Sequence, residues 1–252
     1  PEAEALVFEE NRLTWSNFKS EMDKAARAFI DAGVKKGDRV ALLSMARTEF
    51  PVTYMAANKV GGIWLGMNPK FTIDELRYQI ADSKPAVLIA VSEFQGNDLS
   101  ANIQTLVKEF PFLKKVLVIG NRVAGTEDYR EFLEQDRSDA EMALEERLRQ
   151  VTPGDEALLM YTSGSTGKPK GVVHTHNSII ENIKVEADKF YFRQGSRALL
   201  HFPINHVAAD VEIGFAGILA GGCLVCMDRF DPVKSLNVIE KEKINVVGQV
   251  PV

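Results

Sequence analysis

The sequence has few cysteines and no long apolar stretch. Two cysteines in 252 residues cannot build a disulfide framework, which excludes the small secreted proteins that disulfides hold together. The longest apolar run, residues 213–227, contains Gly221-Gly222 and falls short of the ~18 residues that a membrane span needs. The first residues also lack the basic, apolar and small-residue order of a signal peptide. We therefore expect a protein of the reducing cytoplasm.

An excess of positive charge is absent as well. The formal net charge is −5 and the basic residues are scattered, which argues against a nucleic-acid partner. With 45% hydrophobic residues, the chain can bury a sizeable core as one large domain or two small ones. It begins at Pro1 and stops at Val252 inside an apolar, strand-like segment. We expect it to be part of a longer protein.

Helical patterns alternate with short apolar runs along the chain. Thr14 is the predicted N-cap of a helix that Gly33 ends, and Thr72 to Glu75 fit a capping box whose helix ends before Pro85. Strand-like runs occupy residues 39–44, 86–91, 115–120, 157–161 and 171–175. This alternation predicts an α/β fold with mixed or parallel sheets flanked by helices.

Further elements are predicted towards the C-terminal end. The pattern indicates a helix around Val211 to Leu219, a strand over residues 222–227, a helix from Pro232 to Lys243 and a strand over residues 244–250. The charged stretch 126–150 is interpreted as a solvated helical surface without chemistry of its own.

The segment YTSGSTGKPKGVVHTH, residues 161–176, has the composition of a phosphate-binding loop. Glycines let the backbone turn sharply and direct several N–H groups at one anion, while hydroxyls and lysines add donors and charge. A flexible linker is the alternative, but strand-like runs border the loop and Pro169 stiffens it. The Walker pattern fails, because Pro169 follows Lys168 and no glycine stands five places before Gly167. We expect a strand-loop-strand arrangement.

This segment resembles the signature loop of the adenylate-forming (AMP-binding) superfamily, which includes acyl-CoA synthetases, luciferases and the adenylation domains of peptide synthetases. Residues 13–50 resemble the family's opening helix and first strand, and residues 61–89 resemble the stretch that follows. Residues 202–251 are similar to the part with a Pro-x-x-His turn and a Phe-Asp-Pro helix. The resemblance implies that residues 1–252 are the N-terminal portion of the large AMP-binding domain.

The resemblance also implies a two-step ligase that uses ATP, magnesium and coenzyme A. A carboxylic acid, which we expect to be a fatty acid, becomes an acyl adenylate as pyrophosphate leaves, and the thiol of coenzyme A then takes the acyl group. Positioned donors and a lysine stabilise the charge that develops on pyrophosphate. The residues that the resemblance assigns to ATP are Thr162, Ser163, Gly164, Ser165, Thr166, Gly167 and Lys170, of which Lys170 is also a catalytic candidate. Thr162 is the magnesium candidate, since a hydroxyl oxygen suits a hard cation.

The sequence contains four histidines. His206, in the stretch PINHV, matches the family histidine that lies beside the acyl carboxylate and the entrance used by the thiol, so it is a catalytic candidate. His174 and His176 would share one face of a strand, but no third metal ligand has suitable spacing. We interpret both, and His201, as structural.

Cys223 and Cys226 form a C-x-x-C pair, which occurs in redox and zinc sites. The surrounding residues are apolar, and a step of three along a strand sends the two side chains to opposite faces. Buried packing is therefore the favoured interpretation.

Two other functions are compatible with the sequence. Peptide-synthetase adenylation domains carry an aspartate for the substrate amine near the position of NHV, and the nearest one here is Asp210, which favours a plain carboxylic acid. The alternative from a different class is a module that binds nucleotide or pyrophosphate without turnover. Because the family's later motifs lie outside this sequence, we expect the 252 residues alone to show little or no adenylation.

Overall fold

The computed structural model describes residues 1–162 and 167–249, and the chain divides into two compact units. The first unit contains Pro1–Glu21, Met45–Val52 and the described residues from Asn177 onward. The second contains Met22–Ser44 and the described residues of Thr53–His176. Each unit has its own sheet, and the predicted α/β class with mixed and parallel sheets is confirmed.

The strands are, in chain order, β1 (Glu4–Phe8), β2 (Asn11–Thr14), β3 (Arg39–Leu43), β4 (Ile63–Met67), β5 (Val87–Val91), β6 (Glu93–Phe94), β7 (Asn97–Asp98), β8 (Lys115–Ile119), β9 (Glu127–Asp128), β10 (Glu156–Thr162), β11 (Lys170–Thr175), β12 (Arg197–Leu200), β13 (Cys223–Cys226) and β14 (Val246–Val247). The α-helices are α1 (Trp15–Asp31), α2 (Glu49–Lys59), α3 (Ile73–Ser83), α4 (Ser100–Glu109), α5 (Tyr129–Leu133), α6 (Glu141–Gln150), α7 (His176–Lys189), α8 (Ala216–Leu219) and α9 (Pro232–Glu242). A 3₁₀ turn (Ser138–Ala140) and a π-helical turn (Ala208–Phe215) complete the helical elements of the described residues.

The seven-stranded sheet of the second unit has the order β11-β10-β4-β3-β5-β8-β9. Neighbouring strands are parallel except for β10 and β11, which form an antiparallel hairpin. Every residue of β4 and β5 is buried, as expected for parallel strands covered on both faces, and Trp64 and Leu88 are among the fully buried side chains. The hairpin is thus attached to a rigid core.

Helix α3 begins and ends where its sequence requires. The Thr72 hydroxyl accepts a hydrogen bond from the Glu75 N–H at 3.4 Å, and the Glu75 carboxylate accepts one from the Thr72 N–H at 2.8 Å. This reciprocal pair is the predicted capping box. At the other end Lys84 adopts a left-handed φ of 47°, and Pro85 cannot extend the helix. Both predicted boundaries of α3 are confirmed.

The five-stranded sheet of the first unit has the order β14-β12-β13-β1-β2, with only β1 and β2 antiparallel. Strand β13 carries Cys223 and Cys226, which are free and buried, so the packing interpretation is confirmed. Burial raises the pKa of the Cys223 thiol to about 11 and shifts that of Cys226 in the same direction. Neither thiol is a reactive thiolate at neutral pH.

Several elements differ from the sequence-based expectation. The hairpin of β1 and β2 and the strand β4 were not predicted, because short apolar runs carry little periodicity. The predicted strand over residues 244–250 reduces, among the described residues, to Val246–Val247. His176 begins α7 instead of following His174 on a strand, so the two histidines do not share a strand face.

The helix predicted around Val211 to Leu219 is present but begins earlier, at Ala208. It opens as the π-helical turn Ala208–Phe215, and α8 follows. Gly214 permits this turn, because a Cβ there would lie 2.0 Å from the carbonyl oxygen of Ala209. Among the described residues, no helix is both long and apolar enough to cross a bilayer.

Candidate functional site

The candidate loop connects β10 to β11, which confirms the predicted strand-loop-strand arrangement. The antiparallel register pairs Thr162 with Lys170 and Tyr161 with Gly171, so the two strands bring the ends of residues 163–169 together. Gly167 has a φ of 87°, a left-handed conformation that glycine adopts without strain. The loop thus joins the two strands of one hairpin.

Thr162 and Lys170 are both exposed at this closure of the loop. Side chains of directly paired residues project from the same face of a sheet, with Cβ atoms about 4.5–5.5 Å apart. The side chains of Thr162 and Lys170 therefore leave the hairpin next to each other. Of the other predicted phosphate ligands, Gly167 is described and exposed, whereas Ser163, Gly164, Ser165 and Thr166 lie outside the described residues.

Tyr161 projects from the opposite face of the hairpin, since successive side chains alternate along a strand. Its hydroxyl donates a 2.6 Å hydrogen bond to the Asp82 carboxylate of helix α3. Burial, and then this bond with the Asp82 charge, raise the pKa of Tyr161 above its usual range. Gly171 leaves room for the neighbouring Leu159, because a Cβ there would lie 3.0 Å from Leu159 Cδ1, whereas its 3.6 Å to the Tyr161 ring would be an ordinary contact. Sequence patterns did not identify Asp82 as part of this region.

His206 lies in the first unit, in a turn that precedes the π-helical turn. Its Nδ1 accepts a hydrogen bond from the Ala208 N–H at 3.1 Å, and its backbone N–H donates to the Pro203 carbonyl at 3.0 Å. With Nδ1 accepting, the network assigns the proton of the neutral ring to Nε2. The imidazole is exposed, so this N–H is available to a ligand.

Asp210 follows His206 by one helical turn, and its N–H donates to the His206 carbonyl at 3.4 Å. The side chain is fully buried, and neither carboxylate oxygen has a hydrogen-bond partner among the described residues. Burial raises the pKa of Asp210 well above its ordinary value. The nearest aspartate to NHV in the sequence is thus a carboxyl removed from solvent.

Comparison with known proteins identifies the family to which this geometry belongs. The family described as AMP-binding enzyme matches residues 1–252, the whole chain. The chain belongs to the AMP-binding enzyme family. It is 30% identical over 245 residues to the long-chain-fatty-acid–CoA ligase FadD13 of Mycobacterium tuberculosis, a match that covers 95% of this chain and 44% of that protein.

Two further similarities support this assignment. The chain is 28% identical over 254 residues to a feruloyl-CoA synthase of an Amycolatopsis species, covering 100% of this chain and 46% of that protein. It also resembles the inhibitor-bound N-terminal domain of FACL13 from Mycobacterium tuberculosis, with a TM-score of 0.78 and 26% identity over 98% of this chain and 59% of that one. The chain spans about half the length of the curated relatives it matches.

The described residues also fit the groups that an AMP-binding enzyme uses. They contain no cluster of three or more His, Cys, Asp or Glu side chains that could hold a metal ion. Mg²⁺ needs no such cage, because it takes one or two protein oxygens together with waters and substrate phosphates. The exposed Thr162 would supply one such oxygen, and the paired Lys170 would contact the substrate phosphates.

Proposed function

We propose that the protein carrying this chain is an ATP-dependent acyl-CoA synthetase that forms AMP, with residues 1–252 as the N-terminal portion of its large nucleotide-binding domain. The observation that carries the proposal is the β10–β11 hairpin, which sets Thr162 opposite Lys170 at the base of a glycine-rich loop. Where the loop leaves the two strands, this arrangement directs hydrogen-bond donors and positive charge at an anion, and the protein has to rearrange little when the anion binds. The names of the matched relatives support the same reaction class.

Two bond exchanges define the reaction. A carboxylate oxygen of the acid attacks the α-phosphorus of ATP, the bond to the β-phosphate oxygen breaks, and pyrophosphate leaves. The sulfur of coenzyme A then attacks the acyl carbon and displaces AMP, while the thiol proton passes to solvent or a base. Lys170 and the donors of Thr162 to Gly167 would stabilise the charge on pyrophosphate as it departs.

Other residues have narrower roles. Thr162 would hold Mg²⁺ through its hydroxyl oxygen, and the ion would neutralise phosphate charge when bound. His206 would orient the acyl carboxylate and line the approach of the thiol through its exposed Nε2. The free, buried cysteines are compatible with a reducing compartment, and we propose the cytoplasm, small-molecule partners and no nucleic acid.

A fatty acid is the proposed acid, and an amino acid is the second candidate. Asp210, the aspartate nearest to NHV, is fully buried and would have to become accessible before it could pair with a substrate amine, which supports the fatty acid over the amino acid. A module that binds nucleotide without turnover is the third outcome to test.

The decisive experiment is ATP–pyrophosphate exchange by the complete natural protein with a panel of acids, from acetate through long-chain and aryl acids to amino acids. Exchange with a fatty acid, followed by thioester formation with coenzyme A, is the expected result. Exchange with amino acids alone would identify the second candidate, and nucleotide binding without exchange would identify the binding module. The 252 residues alone should show little exchange, and robust exchange by them would refute that part of the proposal.

A further inference from the structure

We propose that Tyr78 and Asp82 of helix α3 are positioning residues that fix the two ends of the candidate phosphate loop. The inference rests on the function proposed above. Neither residue is proposed to contact phosphate or the acid. Tyr78 acts through the backbone carbonyl of Pro169, and Asp82 acts through the side chain of Tyr161.

The two residues hold opposite ends of the loop. Asp82 accepts the 2.6 Å hydrogen bond from the Tyr161 hydroxyl, at the end of β10. Tyr78 donates a 2.8 Å hydrogen bond from its hydroxyl to the carbonyl of Pro169, directly before β11. Residues four apart on a helix lie on one face, so α3 presents both contacts to the hairpin. One helical turn therefore spans the base of the loop.

The sheet alone does not fix this base. Pro169 has no N–H to offer to a ladder, and its carbonyl precedes the first residue of β11, where strand pairing begins. The bond from Tyr78 holds this position instead. Since Pro169 follows Gly167 and Lys168, that bond acts next to the residues at which the chain returns from the loop.

Ring contacts support the same arrangement. The rings of Tyr78 and Tyr161 meet edge to face with centroids 6.3 Å apart. The ammonium group of Lys168 lies 5.9 Å from the centroid of the Tyr78 ring, at the outer range of a cation–π contact. Tyr78 thus contacts three residues on both arms of the loop.

Helix α3 is a firm support for these contacts. Its N-terminus carries the capping box, and its Leu76 and Ile80 side chains are buried. A loop held in place before phosphate arrives loses less conformational entropy on binding. The expected consequence of releasing it is weaker ATP binding, with the chemical step little changed.

The test uses the complete natural protein with Tyr78→Phe, Asp82→Ala and the double variant. Hydrogen–deuterium exchange of the amides of residues 162–171 should accelerate at least threefold in each single variant and further in the double variant. The KM for ATP should rise about threefold to tenfold in each single variant, while kcat stays within twofold. Asp82→Asn retains an acceptor and should restore most of the wild-type KM.

Arg77→Ala is the matched control. It removes the salt bridges of Arg77 with Asp74 and Glu109, which lie on the same helix and on α4 and do not involve the loop. It should leave loop exchange and the KM for ATP at their wild-type values even if it lowers the melting temperature. The inference would be overturned if the loop amides of Tyr78→Phe and Asp82→Ala exchanged hydrogen for deuterium at the wild-type rate. It would also be overturned if Arg77→Ala accelerated this exchange equally. A wild-type protein without ATP-dependent activity would refute the proposed function. The hydrogen–deuterium exchange of the loop amides would still decide whether α3 positions the loop.

Discussion

The imidazole Nδ1 of His206 accepts a hydrogen bond from the backbone N–H of Ala208, 3.1 Å away. This bond fixes the ring over the start of the π-helical turn and leaves the Nε2–H at the exposed edge. One nitrogen is therefore structural, and the other is the group that we assign to the acyl carboxylate. The two roles can be separated by substitution.

His206→Asn retains an acceptor near the position of Nδ1 but removes Nε2, whereas His206→Ala removes both. We expect both variants to lose activity about 100-fold or more, the loss typical of one donor that stabilises developing charge. Only His206→Ala should also lower the free energy of unfolding, by about 0.5–1.5 kcal/mol. Steady-state kinetics and urea denaturation provide the two measurements. Full activity in His206→Asn would remove Nε2 from the mechanism.

Lys170→Ala removes the positive charge beside Thr162 at the loop base. Because a hydrogen bond to a charged group contributes about 1.5–3 kcal/mol, kcat/KM for ATP should fall roughly 10-fold to 100-fold. Lys170→Arg, which keeps the charge, should lose less. Lys108→Ala, on the exposed surface of α4, removes the same charge elsewhere and should behave as wild type. An unchanged profile for Lys170→Ala would exclude the phosphate role.

Asp210 should make the folded protein less stable as the pH rises. Its folded-state pKa lies above the value of about 3.9 expected in the unfolded chain, so above that pH the unfolded chain releases a proton that the folded chain retains. This difference favours unfolding, by up to about 1.4 kcal/mol for each pH unit until the folded-state pKa is reached. Asp210→Asn should therefore show a smaller loss of unfolding free energy between pH 5 and pH 8. Parallel curves for the two proteins would mean that Asp210 is ionised in the fold.

Glu242 should contribute more to stability than an exposed glutamate. It is 7% exposed and bonds Arg12 at 2.5 Å and Arg197 at 2.8 Å, and both arginines also bond Glu4. Glu242→Ala leaves two partly buried arginines with one partner fewer, which should cost about 1–3 kcal/mol after allowance for their exposure.

Glu10→Ala is the matched control for this change. Glu10 is 93% exposed and its nitrogen–oxygen distance to Lys241 is 3.7 Å, so its removal should alter the free energy of unfolding by no more than about 0.5 kcal/mol. Chemical denaturation of both variants gives the comparison. Equal effects would show that the network around Glu242 is worth no more than a surface pair.

Local interactions explain what could be predicted. The capping box of Thr72 and Glu75, the strand runs on either side of the loop and the helix that starts after Thr14 all depend on residues within a few positions of each other. The strands that were not predicted, β4 and the hairpin of β1 and β2, are short and carry too few residues to show a period. A helix was predicted in this region, but its π-helical geometry was not, because the requirement for Gly214 is visible only once the Ala209 carbonyl is placed.

The sequence by itself determined the α/β class, the hairpin around a glycine-rich loop and the residue types that suit phosphate, because periodicity and loop composition are local properties. Only the tertiary structure decided which residues support that loop. Tyr78 and Pro169 are 91 positions apart, and Glu4 and Arg197 are 193 apart, so no local pattern pairs them. Folding brings them together through the order of the strands, and burial raises the pKa of Asp210, whose carboxyl has no hydrogen-bond partner among the described residues.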